Sequence, residues 1–204
     1  MDDVKSHYEK FIKLNVCFPT LVHQFKFNLN HDEMINYISK NEQLIGRIHQ
    51  SDANLHKIEV FKPLVDELEL IHISVLDKLE YEYDEIEITQ MWSNHLQSGE
   101  VHSPHTHSNN ILSGVYYLLA GKNTSAIEFF DPRPAAGVLY PRNKPNTYNS
   151  SMMKFSSNAG DGLLFPAWLM HWVPPTHIDR ISISWNVLLR GNYGRPRSMQ
   201  NARI

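Results

Sequence analysis

The spacing of apolar positions along the chain changes period once, near Glu85. Before it, Phe18 to Phe27 carries β-branched and aromatic residues and reads as a short opening strand. Asn30, with Glu33 three residues on, reads as a helix N-cap. Met34, Ile35, Ile38, Leu44, Ile45 and Ile48 then mark one amphipathic helix, loosened around Lys40 to Glu42. A second helix is expected from Pro63, with Leu64, Leu68, Ile71, Val75 and Leu79 repeating at three and four. From Glu85 onward Ile86, Ile88, Gln90 and Trp92 alternate with Glu87, Thr89 and Met91, and later apolar runs are short and broken by Gly, Pro, Asn and Ser. Strands are expected at 85–93, 111–119, 125–130, 147–156, 161–166, 170–174 and 180–190. Helices in one block and short strands in the next describe a mainly β chain with flanking helices (α+β), an antiparallel sandwich or barrel covered from outside. The chain thus divides into a supporting part at 1–84 that is not independent, a β core at 85–190 and a tail at 191–204. The segment Asp131 to Pro145, with four prolines, has the length of a lid or binding loop.

Composition narrows the class. The 204 residues fit one domain with a sizeable core, and the net charge of −3 argues against a surface that tracks nucleic-acid phosphates. The single cysteine, Cys17, excludes an internal disulfide framework and a thiolate zinc site. No signal peptide or membrane span is visible, so a cytoplasmic protein without a membrane partner is expected. Histidine is the exception to this bland profile: there are twelve, and His95, His102, His105 and His107 fall within thirteen residues.

In an extended segment, side chains two apart share a face, so His105 and His107 can converge on one ion. Imidazole suits iron, zinc, copper or nickel. A polar loop with incidental histidines presents the same pattern, so the pair alone does not decide. Farther on stand His171 and the strand Arg180 to Asn186. There Arg180, Ser182, Ser184 and Asn186 share one face, and Ile181, Ile183, Trp185 and Val187 share the other. Either the polar face is wet, or it lines a ligand cavity while the helices cover the apolar face. A buried arginine flanked by hydroxyls needs an anion, and its fork matches a carboxylate.

His105-Thr106-His107, His171, and Arg180 nine residues later with Ser182 two beyond, resemble the iron(II)- and 2-oxoglutarate-dependent oxygenases of the prolyl-hydroxylase-like kind. The chain is similar above all to small 2OG-Fe(II) oxygenases of phage and marine bacterial genomes, with Trp92-Ser93-Asn94, His105 to His107, Ser113 to Tyr117 and Phe129 to Arg133 in the same order. The resemblance covers about residues 85–190. It implies a double-stranded β-helix (jelly-roll, cupin-like) core and Fe(II), 2-oxoglutarate and O2 as cofactor and co-substrates. It implies His105, His107 and His171 as metal ligands, and Arg180, Ser182, Tyr117 and Asn94 around 2-oxoglutarate, with Tyr117 on the odd-numbered face of His105 and His107. The implied reaction is decarboxylation of 2-oxoglutarate to succinate coupled to hydroxylation of a substrate, in a bacterium or a phage-infected bacterial host.

The departure from the family pattern is His107, which stands where most members have aspartate. Glu128 and Asp131 are the alternative carboxylates, and His102 is a further candidate ligand. Trp168, Trp172, Asn94 and the 131–145 loop are candidates for the walls of the site, the two tryptophans equally for plain core. Two other readings remain open: a cupin-like three-histidine dioxygenase that does not use 2-oxoglutarate, and a non-catalytic acid-binding module. The substrate is expected to be a small molecule or a peptide, and the N-terminal helices offer a surface for a homodimer.

Overall fold

The protein is described here from a computed structural model, which covers residues 12–133 and 146–204. The loop expected to act as a lid therefore lies mostly outside the described residues. The chain runs β1 (His23–Lys26), α1 (Asp32–Asn41), β2 (Gln43–Ile45), β3 (Ile48–Gln50), α2 (Lys62–Lys78), β4 (Glu85–Leu96), β5 (His102–His105), β6 (Leu112–Leu119) and β7 (Ile127–Phe130). It continues with β8 (Met152–Phe155), β9 (Asp161–Pro166), β10 (His171–Val173), β11 (Arg180–Arg190), β12 (Asn192–Tyr193) and β13 (Ala202–Arg203). The alternating pattern after Glu85 marks every strand of the β core except β5, with bounds shifted by up to five residues: β4 runs three residues past its expected end, and others are shorter than expected.

The first third departs further from the pattern. The opening strand is only four residues long. The N-cap of α1 is His31 rather than Asn30, whose Oδ1 accepts the Asp32 N–H at 3.0 Å. Asp32 and Glu33 in the first turn and Lys40 in the last complement the helix dipole. The helix does not run on to Ile48. Glu42 turns extended, and the chain folds into the β2–β3 hairpin around Gly46, whose φ of +66° suits glycine. Leu44 and Ile45 remain largely exposed there, and of the three only Ile48 reaches the core. Their three-and-four spacing with Ile38 was coincidental. Helix α2 forms as expected, with Pro63 in its first turn and Leu64, Leu68, His72, Val75 and Leu76 buried.

All strand pairs within the sheets are antiparallel. A large sheet has the order β1-β9-β6-β11-β4-β3-β2, a smaller one β5-β10-β7-β8, and β12 pairs with β13. Two four-stranded sets, β9-β6-β11-β4 and β5-β10-β7-β8, thus face each other in a double-stranded β-helix, and β1 and the β2–β3 hairpin extend the larger. One core lies between the large sheet and the helices, where Ile181, Ile183, Trp185 and Val187 meet Leu64, Leu68 and Leu76. The other lies between the sheets and holds Leu96, Val115, Tyr117, Phe129, Leu163 and Phe165. The apolar face of β11 is therefore covered by the helices. Gly114 makes this packing possible, because a Cβ there would run into the Trp185 ring.

Candidate active site

The polar face of β11 points between the sheets. There Arg180, Ser182, Ser184, Asn94 and Trp92 from the large sheet share a pocket with His102, His105, His107 and His171 from the smaller one. His105 ends β5 and His171 begins β10, and the two are direct cross-strand partners. His107 is not on the same strand as His105. It lies just beyond, where its backbone N–H donates to the Ala167 carbonyl at 2.9 Å, so a loop contact rather than strand parity aims it. Between the pairs His171–His105 and Val173–His102, β5 carries one residue more than β10. This bulge offsets the odd spacing of His102 and His105 and stacks their rings 4.3 Å apart.

The ligand nitrogens of His105, His107 and His171 all lie within 4.8 Å of one another, and among the described residues no other group of three such side chains does. His105 Nδ1 donates to the Ser103 carbonyl at 2.7 Å and His171 Nδ1 to the Leu169 carbonyl at 2.8 Å. These bonds fix the tautomer and leave each Nε2 lone pair free, as a divalent metal requires. Burial pushes His107 down to about 4 and His171 to about 3, with the neighbouring imidazoles adding to the effect, so both rings are neutral near pH 7. The donor set fits a metal ion. His102, also held neutral by burial at about 3, stacks on this group but is not one of its members.

Neither alternative carboxylate joins them. Glu128 accepts the Trp172 indole N–H at 2.8 Å and pairs with Lys154 at 2.6 Å. Asp131 is engaged by Arg133 at 2.7 Å. Trp172 is thereby held to Glu128 rather than against the histidines, and Trp168 is 56% exposed, which rules it out as core. The side chains that do pack on His171 are Phe129 and Phe165, with ring centroids 5.7 and 4.9 Å away. Phe129 opens one of the motifs that carry the resemblance, but neither phenylalanine was expected beside the histidines.

At the other end of the pocket Arg180 is 2% exposed and has no carboxylate partner among the described residues. Its Nη1 donates to Ser182 Oγ at 3.2 Å, and its guanidinium lies 4.8 Å from the centre of the Tyr117 ring. Arg180 Nε and the Tyr117 hydroxyl are buried without a hydrogen-bond partner. Tyr117 reaches this spot from β6, where it faces Ser182, so its parity with His105 on another sheet is incidental. A buried guanidinium without a counter-ion, beside a phenol without a partner, costs several kcal/mol unless an anion meets both. These donors fit a carboxylate.

Residues 90–186 match the family model described as "Putative 2OG-Fe(II) oxygenase". The β core of the chain is similar to the 2OG-Fe(II) oxygenases. On that likeness it is an oxidoreductase of the 2OG-Fe(II) oxygenase kind, prolyl-hydroxylase-like in fold, with Fe(II) as cofactor and 2-oxoglutarate and O2 as co-substrates. Solved structures share the fold at low identity. A prolyl-4-hydroxylase from Pseudomonas putida is 12% identical, with 84% of this chain and 94% of that one covered and a TM-score of 0.61. A prolyl hydroxylase from Trichoplax adhaerens, in complex with a hypoxia inducible factor peptide fragment, is 13% identical, covers 82% and 83%, and has a TM-score of 0.55. HygX from Streptomyces hygroscopicus, with nickel and 2-oxoglutarate bound, is 12% identical, covers 83% of each chain, and has a TM-score of 0.56. No curated protein matches the chain. No helix among the described residues is long and apolar enough to cross a membrane.

Proposed function

We propose that His105, His107 and His171 hold the Fe(II) of this oxygenase, that Arg180, Ser182, Tyr117 and Asn94 hold 2-oxoglutarate, and that the reaction is hydroxylation of a small-molecule or peptide substrate. The observation that carries this reading is Arg180, a buried guanidinium with no anionic partner among the described residues, in one pocket with three clustered imidazoles. Bound there, Fe(II) with 2-oxoglutarate and O2 supplies oxidative decarboxylation to succinate and carbon dioxide coupled to oxidation of a C–H bond. The chain's own part is positioning. Ser103 and Leu169 carbonyls orient two ligand rings, and three protein ligands leave further coordination positions open. Arg180 and the Tyr117 hydroxyl present N–H and O–H donors to the distal carboxylate, and Ser182, which accepts from Arg180, keeps its own proton to donate. Phe129 and Phe165 keep one side of the imidazole group dry. HygX has also been solved with hygromycin B bound, and the Trichoplax enzyme with a peptide, so this fold binds ligands of both classes.

The test joins metal analysis with turnover. Iron-loaded protein with 2-oxoglutarate under air is expected to release succinate, and His171→Ala to lose both iron and succinate release. Arg180→Ala is expected to keep iron but weaken 2-oxoglutarate binding. Unchanged co-substrate affinity in Arg180→Ala, or no succinate across a broad substrate panel with iron and ascorbate, would overturn the assignment.

A further inference from the structure

We infer that Gln50, on the hairpin outside the β-helix, is a positioning residue for 2-oxoglutarate: through Asn94 it fixes the Ser184 hydroxyl as a donor to the carboxylate at the metal end of that co-substrate. The inference rests on the proposed Arg180 clamp and extends it to the opposite end of the ligand.

The three side chains form a directed chain. Gln50 is the cross-strand neighbour of Asn94, and its Nε2 donates to Asn94 Oδ1 at 2.5 Å. Asn94, 2% exposed, donates from Nδ2 to Ser184 Oγ at 3.0 Å. An amide nitrogen can only donate, so each link has one polarity. Ser184 Oγ is held as an acceptor toward Asn94, and its own proton has no acceptor among the described residues. Ser184 lines the pocket that holds the histidines and Arg180, and no carboxylate is among the side chains of that lining. The free proton therefore points to an acceptor on a ligand.

Placement along β11 says which end of the ligand. Ser182, beside Arg180, is in the same state, since it accepts from the guanidinium and keeps its proton free. Ser184 follows two residues later on the same face, about 6.6 Å along the strand, which is the reach of a five-carbon diacid. Its cross-strand neighbour Trp92 lies 5.8 Å, centroid to centroid, from the His107 ring, so Ser184 is on the metal side. Ser182 and Ser184 thus present two hydroxyl protons to the two ends of one dicarboxylate. The polarity of the second is set from outside the β-helix by Gln50.

Gln50→Glu reverses that polarity with almost no change of shape. A carboxylate at this position only accepts, so the Asn94 amide must turn its N–H toward it and offer Oδ1 to Ser184, whose proton is then withdrawn from the ligand. Calorimetric titration of the nickel-loaded protein with 2-oxoglutarate and with 4-oxopentanoate, which keeps the keto group and the far carboxylate but carries a methyl group in place of the metal-end carboxylate, tests this. Gln50→Glu and Ser184→Ala are expected to weaken 2-oxoglutarate about tenfold, the worth of one charge-assisted hydrogen bond, with 4-oxopentanoate changed by less than about twofold. Ser184→Thr, which keeps the hydroxyl, is expected to bind both as the unmodified protein does. Equal weakening of both ligands by Ser184→Ala, or no change in either, overturns the inference, and the Ser184 pair decides the matter if Gln50→Glu does not fold. Arg180→Ala is the separate control. If it leaves both ligands unchanged the clamp itself is wrong; if it weakens both while Gln50→Glu and Ser184→Ala do not discriminate, only the relay is.

Discussion

The indole N–H of Trp185 donates to Nε2 of His72 at 2.9 Å, a bond 113 residues apart in sequence that ties the outer face of β11 to the middle of α2. Both side chains are fully buried. Because Nε2 accepts, the proton of this imidazole sits on Nδ1, and the ring must stay neutral for the bond to persist. Burial pushes His72 down to about 4. Between that value and the ordinary 6.5 the unfolded chain takes up a proton that the folded one refuses. The contribution is fully present above pH 6.5 and is lost as pH falls through the window, up to about 3 kcal/mol in all. Urea midpoints measured from pH 7.5 to 4.5 are expected to fall more steeply in the unmodified protein than in His72→Gln, which does not titrate. Parallel curves would rule out His72 as a source of acid sensitivity.

Gly114 and Trp185 face each other across the β6–β11 pair. A methyl group on Gly114 would occupy the space of the indole ring, which the His72 bond and the covering helices prevent from retreating. Gly114→Ala is therefore expected to destabilise the fold by about 1–3 kcal/mol, read as a lower urea midpoint at unchanged slope. A variant as stable as the unmodified protein would mean that Trp185 has room to move.

Tyr117→Phe should act in opposite directions on stability and binding. The phenol is buried without a partner, so removing it takes away an unsatisfied group and leaves the unliganded fold as stable or slightly more so. If the hydroxyl meets the distal carboxylate of 2-oxoglutarate, the same change weakens co-substrate binding about tenfold. Thermal melting and calorimetric titration of one variant read both effects. Loss of stability without loss of affinity would make Tyr117 a core residue only.

What the sequence made legible follows from how far each interaction reaches. The inward polar face of β11 could be read because Arg180, Ser182 and Ser184 alternate along one strand, and strand parity is a local property. The β-helix could be read for the same reason, in seven of its eight strands. The β2–β3 hairpin could not, since Ile38, Leu44, Ile45 and Ile48 happen to keep helical spacing, although Gly46 marked the turn. With that hairpin went Gln50, whose contact with Asn94 spans 44 residues. His72 and Phe165 were hidden differently: both sit in apolar stretches where their partners come from the far side of the fold. The bulge that brings His102 onto His105 is a property of the pairing between β5 and β10 and has no signature in β5 alone.

His107 is the position where the chain departs from the pattern expected of 2OG-Fe(II) oxygenases, and the geometry makes the departure testable. Its ring lies 5.3 Å from that of His171 and nearly parallel to it, and the loop that carries it is pinned to Ala167. The pinning contact is a backbone bond, so a shorter side chain at this position is aimed by the same loop. A carboxylate there would offset one unit of the ion's charge and give the two-histidine, one-carboxylate set that suits ferrous iron. His107→Asp is therefore expected to keep or raise Fe(II) affinity and to keep succinate release, whereas His107→Ala loses both. Competition with a metallochromic chelator reads the first quantity and succinate formation the second. If His107→Ala bound iron as tightly as the unmodified protein, His107 would not be a ligand, and its contact with Trp92 would be its only role in the site.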